Sequence, residues 1–267
     1  MRALPVVLIC ASTVLFGQPT GLEIITRSIA TADRGWKAQQ TYKYTECAEE
    51  RHVDSRGKVK SADVDVTRVV FINGVPFEET VEHNGGPPTS TQKRKDQEKL
   101  SKLKAETPVE RSARLQKEKE NRAFLQEVPE AFNFRVIGTE QISGRPAWVI
   151  EPTPKPGYRA HSKYGKMFSK VRGKLWVDQQ DYGWVKVDAT VIEPIPMGLF
   201  LAKIQRGSHI FFEQTRVAEG IWLPKRIEVK AAAKVLFVMN YTADELITYS
   251  DYLPAQPTEL ASSAGRP

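Results

Sequence analysis

Cysteine is almost missing from this chain, and with it most thiol chemistry. Of 267 residues only Cys10 and Cys47 are cysteines. Cys10 stands in an apolar run at the N-terminus, so once that run is removed Cys47 has no partner and no disulfide framework is expected. The core must hold the fold. Histidine is also scarce: His52, His83, His161 and His209 are far apart, and none falls in an H-E-x-x-H or comparable spacing. No metal site and no cofactor is expected from them. There is no G-x-S-x-G elbow, and the stretch 157–166 fails as a phosphate loop because its glycines are wrongly spaced and no Ser or Thr follows Lys166. After the first 16 residues no apolar run approaches the roughly 20 residues of a membrane-spanning helix. Asp178, Asp181 and Asp188 cluster near one turn, where paired carboxylates could do acid–base work; surface turn carboxylates are the expected reading, and no catalytic residue is assigned.

What is present begins with Met1-Arg2 and the apolar stretch 3–16, ALPVVLICASTVLF, closed by small residues. One positive charge and a short apolar segment fit a secretory signal, so residues 1–20 are expected to be a signal peptide cut between about Gly17 and Gly21. Hydrophobic residues make up 40% of the chain and aromatics 9%, enough for a packed core. The 39 Lys+Arg against 32 Asp+Glu give a formal +7, a mild bias toward anionic partners spread over the whole length.

Leu22, Ile25, Ile29, Ala32 and Trp36 recur at three- and four-residue steps, which predicts an amphipathic helix over 22–38. Strand patterns follow over 41–53 and 62–81, the second broken by an Asn73-Gly74 turn. The composition then changes to a highly charged stretch. The pattern Thr107-Pro108-Val109-Glu110 predicts a helix ending near Glu106 and another starting at Pro108. Glu98 with Lys102, Glu110 with Arg114 and Glu118 with Arg122 are spaced for ion pairs along such helices. Strands at short regular spacing resume at Phe132, which predicts an antiparallel meander rather than βαβ units. Residues 253–267 are small, polar and proline-bearing and are expected to be disordered.

The hairpin GKLWVDQQDYGWVKVDATV, residues 173–191, alternates strictly. Val185, Val187, Ala189 and Val191 would share one face, and Trp184, Lys186, Asp188 and Thr190 the other. A sheet of about ten strands with one apolar face must close, sandwich, or curl around a helix, and the N-terminal helix is available for the last. Between strands, EPIPMGLFLAKIQRG (193–207) carries Met197, Leu199, Phe200 and Leu201 among prolines that disfavour a central strand, so a loop or short helix acting as a lid or plug is expected.

The segments GRPAWVIE (144–151), GKLWVD (173–178), FEQTRV (212–217) and IWLPKR (221–226) resemble the bacterial outer-membrane lipoprotein-sorting proteins, the LolA/LolB-like group, over residues 22–252. The resemblance implies a mainly β, α+β fold: a strongly curved antiparallel sheet forming an incomplete barrel around an N-terminal helix, with a charged helical insertion at about 92–127 inside a domain of residues 21–252. It implies a non-enzymatic periplasmic carrier whose cavity takes the acyl chains of a lipid or lipoprotein. An envelope membrane protein is a possible further partner, nucleic acid is not expected, and the chain is expected to be a monomer. The candidate apolar pocket is Phe71, Trp148, Ile150, Trp176, Phe211, Phe237 and Met239, with Met197, Leu199 and Phe200 as lid. Trp176 and its neighbour Leu175 cannot share a face, so some of these must point outward. The competing reading is an envelope interaction module that docks through the basic helical insertion. A hydrolase using Asp178 or Asp188 is a third.

Overall fold

The computed structural model describes residues 18–53, 58–197, 202–235 and 239–255. Helix α1 spans Gly21–Gln39. It starts where it does because Thr20 and Glu23 form a reciprocal capping box, the Glu23 carboxylate accepting from the Thr20 N–H at 2.7 Å. The buried stripe is Ile24, Ile25, Ser28, Ile29, Thr31 and Gly35, whereas Leu22 is 47% exposed. The stripe is thus rotated from the expected one, because small residues rather than large ones mark the closest approach of helix to sheet. A Cβ on Gly35 would lie 2.5 Å from the Trp222 carbonyl oxygen, and one on Gly21 2.6 Å from that of Phe134.

Strands β1 (Tyr42–Val53), β2 (Val59–Ile72) and β3 (Val75–His83) form an antiparallel ribbon, with the predicted turn at Asn73 (φ 55°) and Gly74 (φ 79°). Helices α2 (Ser90–Lys104) and α3 (Pro108–Arg122) form the charged insertion, α3 capped by Thr107 and Glu110 as predicted, and α4 (Phe124–Ala131) leads back to the sheet. The ion pairs differ from the expected ones. Glu110 caps Thr107, Glu118 pairs with Arg114 at 3.2 Å, and Arg122 crosses to Asp33 of α1 at 3.0 Å. Arg122 takes a tertiary partner, whereas Glu110 turns to its own N-cap and Glu118 to the arginine one turn earlier, since each expected pair is worth only a few tenths of a kcal/mol.

Next come β4 (Phe132–Ile142), β5 (Arg145–Pro154), a 3-10 turn (Gly165–Lys170), β6 (Val171–Asp178) and β7 (Trp184–Val191). The described residues of 193–207 are not the expected loop or short helix. They hold two short strands, β8 (Ile195–Met197) and β9 (Ala202–Ile204), paired with each other, and β9 also pairs with β11. Pro196 is tolerated because β8 is an outer strand. The chain ends in β10 (His209–Ala218), β11 (Ile221–Val235) and β12 (Met239–Pro254). The last strand extends into the segment expected to be disordered, and the N–H of Ala255 still donates to Thr41 at 2.7 Å.

All pairings among the described strands are antiparallel, in the order β3-β2-β1-β12-β11-β10-β7-β6-β5-β4, with β8 and β9 off this path. The sheet is therefore two meanders joined by the pairing of β1 with the last strand. It curves into an incomplete barrel around α1 and stays open between β3 and β4. The edge of β3 is guarded by α2, whose Asp96 accepts the Thr80 N–H at 3.0 Å. The main core lies between α1 and the sheet: Ile24, Ile25 and Ile29 pack on Trp148, Ile150, Leu175 and Val177. Full burial of each such side chain contributes about 1.5–3 kcal/mol.

Candidate ligand-binding concavity

Directly paired residues lie on the same face of a sheet. Tracing pairs outward from Ile150, which packs on α1, gives Leu175, Val187, Phe212, Ile227, Ile247 and Ala48 across seven strands. The inner face thus carries one continuous apolar row. The adjacent row, on the outer face, is Val149, Trp176, Lys186, Glu213, Arg226, Thr248 and Cys47. It turns polar beyond Trp176. α1 covers only part of the inner row: Phe212, Ile227 and Ile247 remain half-buried.

A β-bulge decides the hairpin's faces. Val177 pairs with Trp184 while Trp176 pairs with Lys186, which leaves Val185 as the extra residue. Trp184 joins Val187 on the inner side, where its indole N–H donates to the Ser28 hydroxyl at 2.6 Å. Val185 packs outside with Trp176 and Trp222. Strict alternation had put Trp184 and Val185 the other way round.

Two clefts open on the concavity. One, of about 170 Å³, is lined by Phe132, Phe134 and Phe168 together with Leu175, Trp184 and Val187. The other, of about 300 Å³, lies between α1, α3 and the sheet, with Trp36, Gln39, Tyr44, Phe71 and Arg122 in its walls. Tyr44 packs against Val69, Phe71, Tyr249 and Tyr252. Burial pushes the Tyr44 phenol up to about 12, so it stays neutral. Glu46 lies two residues along the same inner face. Burial, and then the charges of Glu78 and Glu245, raise its carboxyl above the ordinary value.

The chain is similar in structure to a LolA superfamily protein, to an outer-membrane lipoprotein-sorting domain and to MucB. One is the LolA superfamily protein NE2245 from Nitrosomonas europaea, 12% identical with a TM-score of 0.33, covering 91% of this chain and 97% of that one. Another is a domain named for outer membrane lipoprotein sorting from Vibrio parahaemolyticus, 9% identical with a TM-score of 0.36, covering 89% and 97%. A third is MucB in complex with the periplasmic part of MucA, 12% identical with a TM-score of 0.25, covering 91% and 96%. No family model matches the sequence, and no curated protein matches it.

The candidate pocket residues fall on both faces. Trp148 and Ile150 are inside, on α1, and Phe71 is inside at the other end of the sheet. Trp176 lies outside, its indole N–H on Glu140 at 2.8 Å and the Lys186 ammonium 3.7 Å above its ring. Phe211 is outside too, paired across the strands with Asp188 and Glu228. Leu199, Phe200 and Phe237 lie outside the described residues. Met197 belongs to β8 and Met239 opens β12, but their side chains are not among those described. Sequence reasoning missed Phe212, Ile227, Ile247, Tyr44 and Trp184. Phe211 and Phe212 are adjacent, and only strand register says which one faces inward.

Asp178 is not a surface carboxylate: it is completely buried and bonded to Arg145 at 2.7 and 2.8 Å. Asp188 sits on the outer face beside His209, Oδ1 to Nε2 at 2.8 Å. A second buried carboxylate, Glu127 of α4, accepts the Tyr158 hydroxyl and the N–H groups of His161 (2.9 Å) and Ser162 (2.6 Å). Asp178 ties the β6–β7 turn to β5, Glu127 ties residues 158–162 to α4, and Asp188 joins β7 to β10.

Proposed function

We propose that this protein is a non-enzymatic carrier of the periplasm that encloses the acyl chains of a lipid or lipoprotein between its curved sheet and its helices. The observation that carries this reading is the apolar row from Ile150 to Ala48, which continues past the area α1 covers. A sheet face that served only as core would need a helix or a second sheet over the rest of that row. Burial of a methylene contributes about 0.8 kcal/mol, so a C16 chain has up to roughly 10 kcal/mol of gross driving force before ordering costs. Such a cavity needs no nucleophile and no metal. The periplasmic location rests on the N-terminal leader pattern, residues 1–20.

The test is native mass spectrometry of the mature chain purified from its own envelope fraction, with organic extraction of what it retains. A co-purifying lipid or acylated peptide in stoichiometric amount is expected. An apo mass that stays unchanged after incubation with lipids would sink the carrier reading.

A further inference from the structure

Helices α1 and α3 flank an open groove of about 520 Å³, within the range of small-molecule sites. Its apolar lining is the Trp36 ring, Leu115 and Ala123, and its basic lining is Lys37, Lys119 and Arg122. Asp33 is the acidic residue in its lining, and that carboxylate is already satisfied by Arg122 at 3.0 Å and Gln126 at 3.2 Å. The Arg122 guanidinium also lies 4.7 Å from the centre of the Trp36 ring, which fixes it in place. Lys37 and Lys119 are different. Both are exposed, and neither makes a hydrogen bond or ion pair among the described residues. One apolar strip is therefore bordered by two uncommitted ammonium groups, one from each helix.

Trp36 and Arg122 also wall the cleft that leads to Tyr44 and Phe71 on the inner face. The groove and the concavity share a partition made of this stacked pair.

From this arrangement we infer that the groove between α1 and α3 binds the anionic head of an amphiphile, with phosphate or carboxylate between Lys37 and Lys119 and the first methylenes on Trp36 and Leu115. This rests on the proposed carrier function and adds to it a preference for negatively charged cargo. The helical insertion then selects the head group, while the sheet takes the chain.

The probes are dodecyl phosphate, the uncharged dodecyl maltoside and inorganic phosphate, titrated calorimetrically into the mature chain and into the double variant K37Q/K119Q. Both lysines are exposed, so the variant is expected to fold, and an unchanged circular dichroism melt checks this. We expect the variant to bind dodecyl phosphate at least tenfold more weakly and dodecyl maltoside as the parent does. Equal affinity of parent and variant for dodecyl phosphate, with both amphiphiles bound, would overturn the head-group site and leave the carrier reading standing. Failure of the parent to bind either amphiphile would overturn both. Inorganic phosphate binding as tightly as dodecyl phosphate, with the same dependence on the lysines, would assign the groove to a free anion and overturn the amphiphile claim.

Discussion

Arg145 at the start of β5 grips Asp178 at the end of β6 through two parallel hydrogen bonds, Nε to Oδ2 at 2.7 Å and Nη2 to Oδ1 at 2.8 Å. Burial alone would raise the Asp178 carboxyl. The guanidinium outweighs it, with the N–H groups of Asp181 and Gln180, and holds it below the usual carboxylate range. Arg145 also reaches Asp181 at 3.4 Å, and Asp181 binds Arg216 of β10. One buried charge thus organises the β6–β7 turn and links it to the neighbouring strands.

Removing only the cation should therefore be severe. Arg145→Met would leave a carboxylate with no exposure unpaired, and we expect a loss of about 3–5 kcal/mol in urea unfolding. The double variant R145M/D178L should recover much of it, because no charge is then stranded. A loss below about 1 kcal/mol for Arg145→Met would show that the pair is not structural.

Glu127 sets part of the acid limit. Burial raises its carboxyl, but hydrogen bonds from Ser162, Tyr158 and the His161 N–H overcome this and hold it at about 2. A carboxyl depressed in the folded state adds stability that is present above its unfolded value and lost as pH falls through the folded one. The window runs from about pH 5 down to about pH 2. Glu127→Gln should cost roughly 2–3 kcal/mol at neutral pH and flatten the fall in urea midpoint across that window. An acid limb identical to that of the parent would refute the assignment.

Glu46 has the opposite sign. Burial first, then Glu78 and Glu245, raise its carboxyl, so the protonated form fits the fold better and stability is lost as pH rises through the raised value. Glu46→Gln should accordingly raise the Tm at neutral pH, by about 2 °C or more, and leave it little changed in acid. A lower Tm at neutral pH would count against this account.

Gly35 tests how closely α1 lies on the sheet. In an exposed helix Gly→Ala gains up to about 1 kcal/mol. Here the new Cβ would meet the Trp222 carbonyl oxygen at 2.5 Å, and backbone cannot step aside as a flexible side chain can. We expect Gly35→Ala to destabilise by about 1–3 kcal/mol in thermal or urea unfolding. A gain in stability would mean that α1 sits further from β11 than described.

Much of the secondary structure was legible because it depends on neighbours in sequence. Capping at Thr107 and Glu110, the left-handed turn at Asn73-Gly74 and the period-two strands each need only a few consecutive residues. The binding face was legible only in part. Trp148 and Ile150 were placed inside, whereas Trp176 and Phe211 stand outside, because one bulged residue or one step of register turns a side chain to the other face.

The sequence by itself therefore determined a mainly antiparallel sheet, an amphipathic N-terminal helix and a charged helical insertion, since local periodicity and end-capping encode these. Tertiary structure alone decided that β1 pairs with the last strand, that Arg122 leaves its own helix to bind Asp33 and Trp36, and that Asp178 is buried rather than solvated. These outcomes join residues 33 to about 210 positions apart, and they follow from which surfaces can be buried together, a quantity no local window contains.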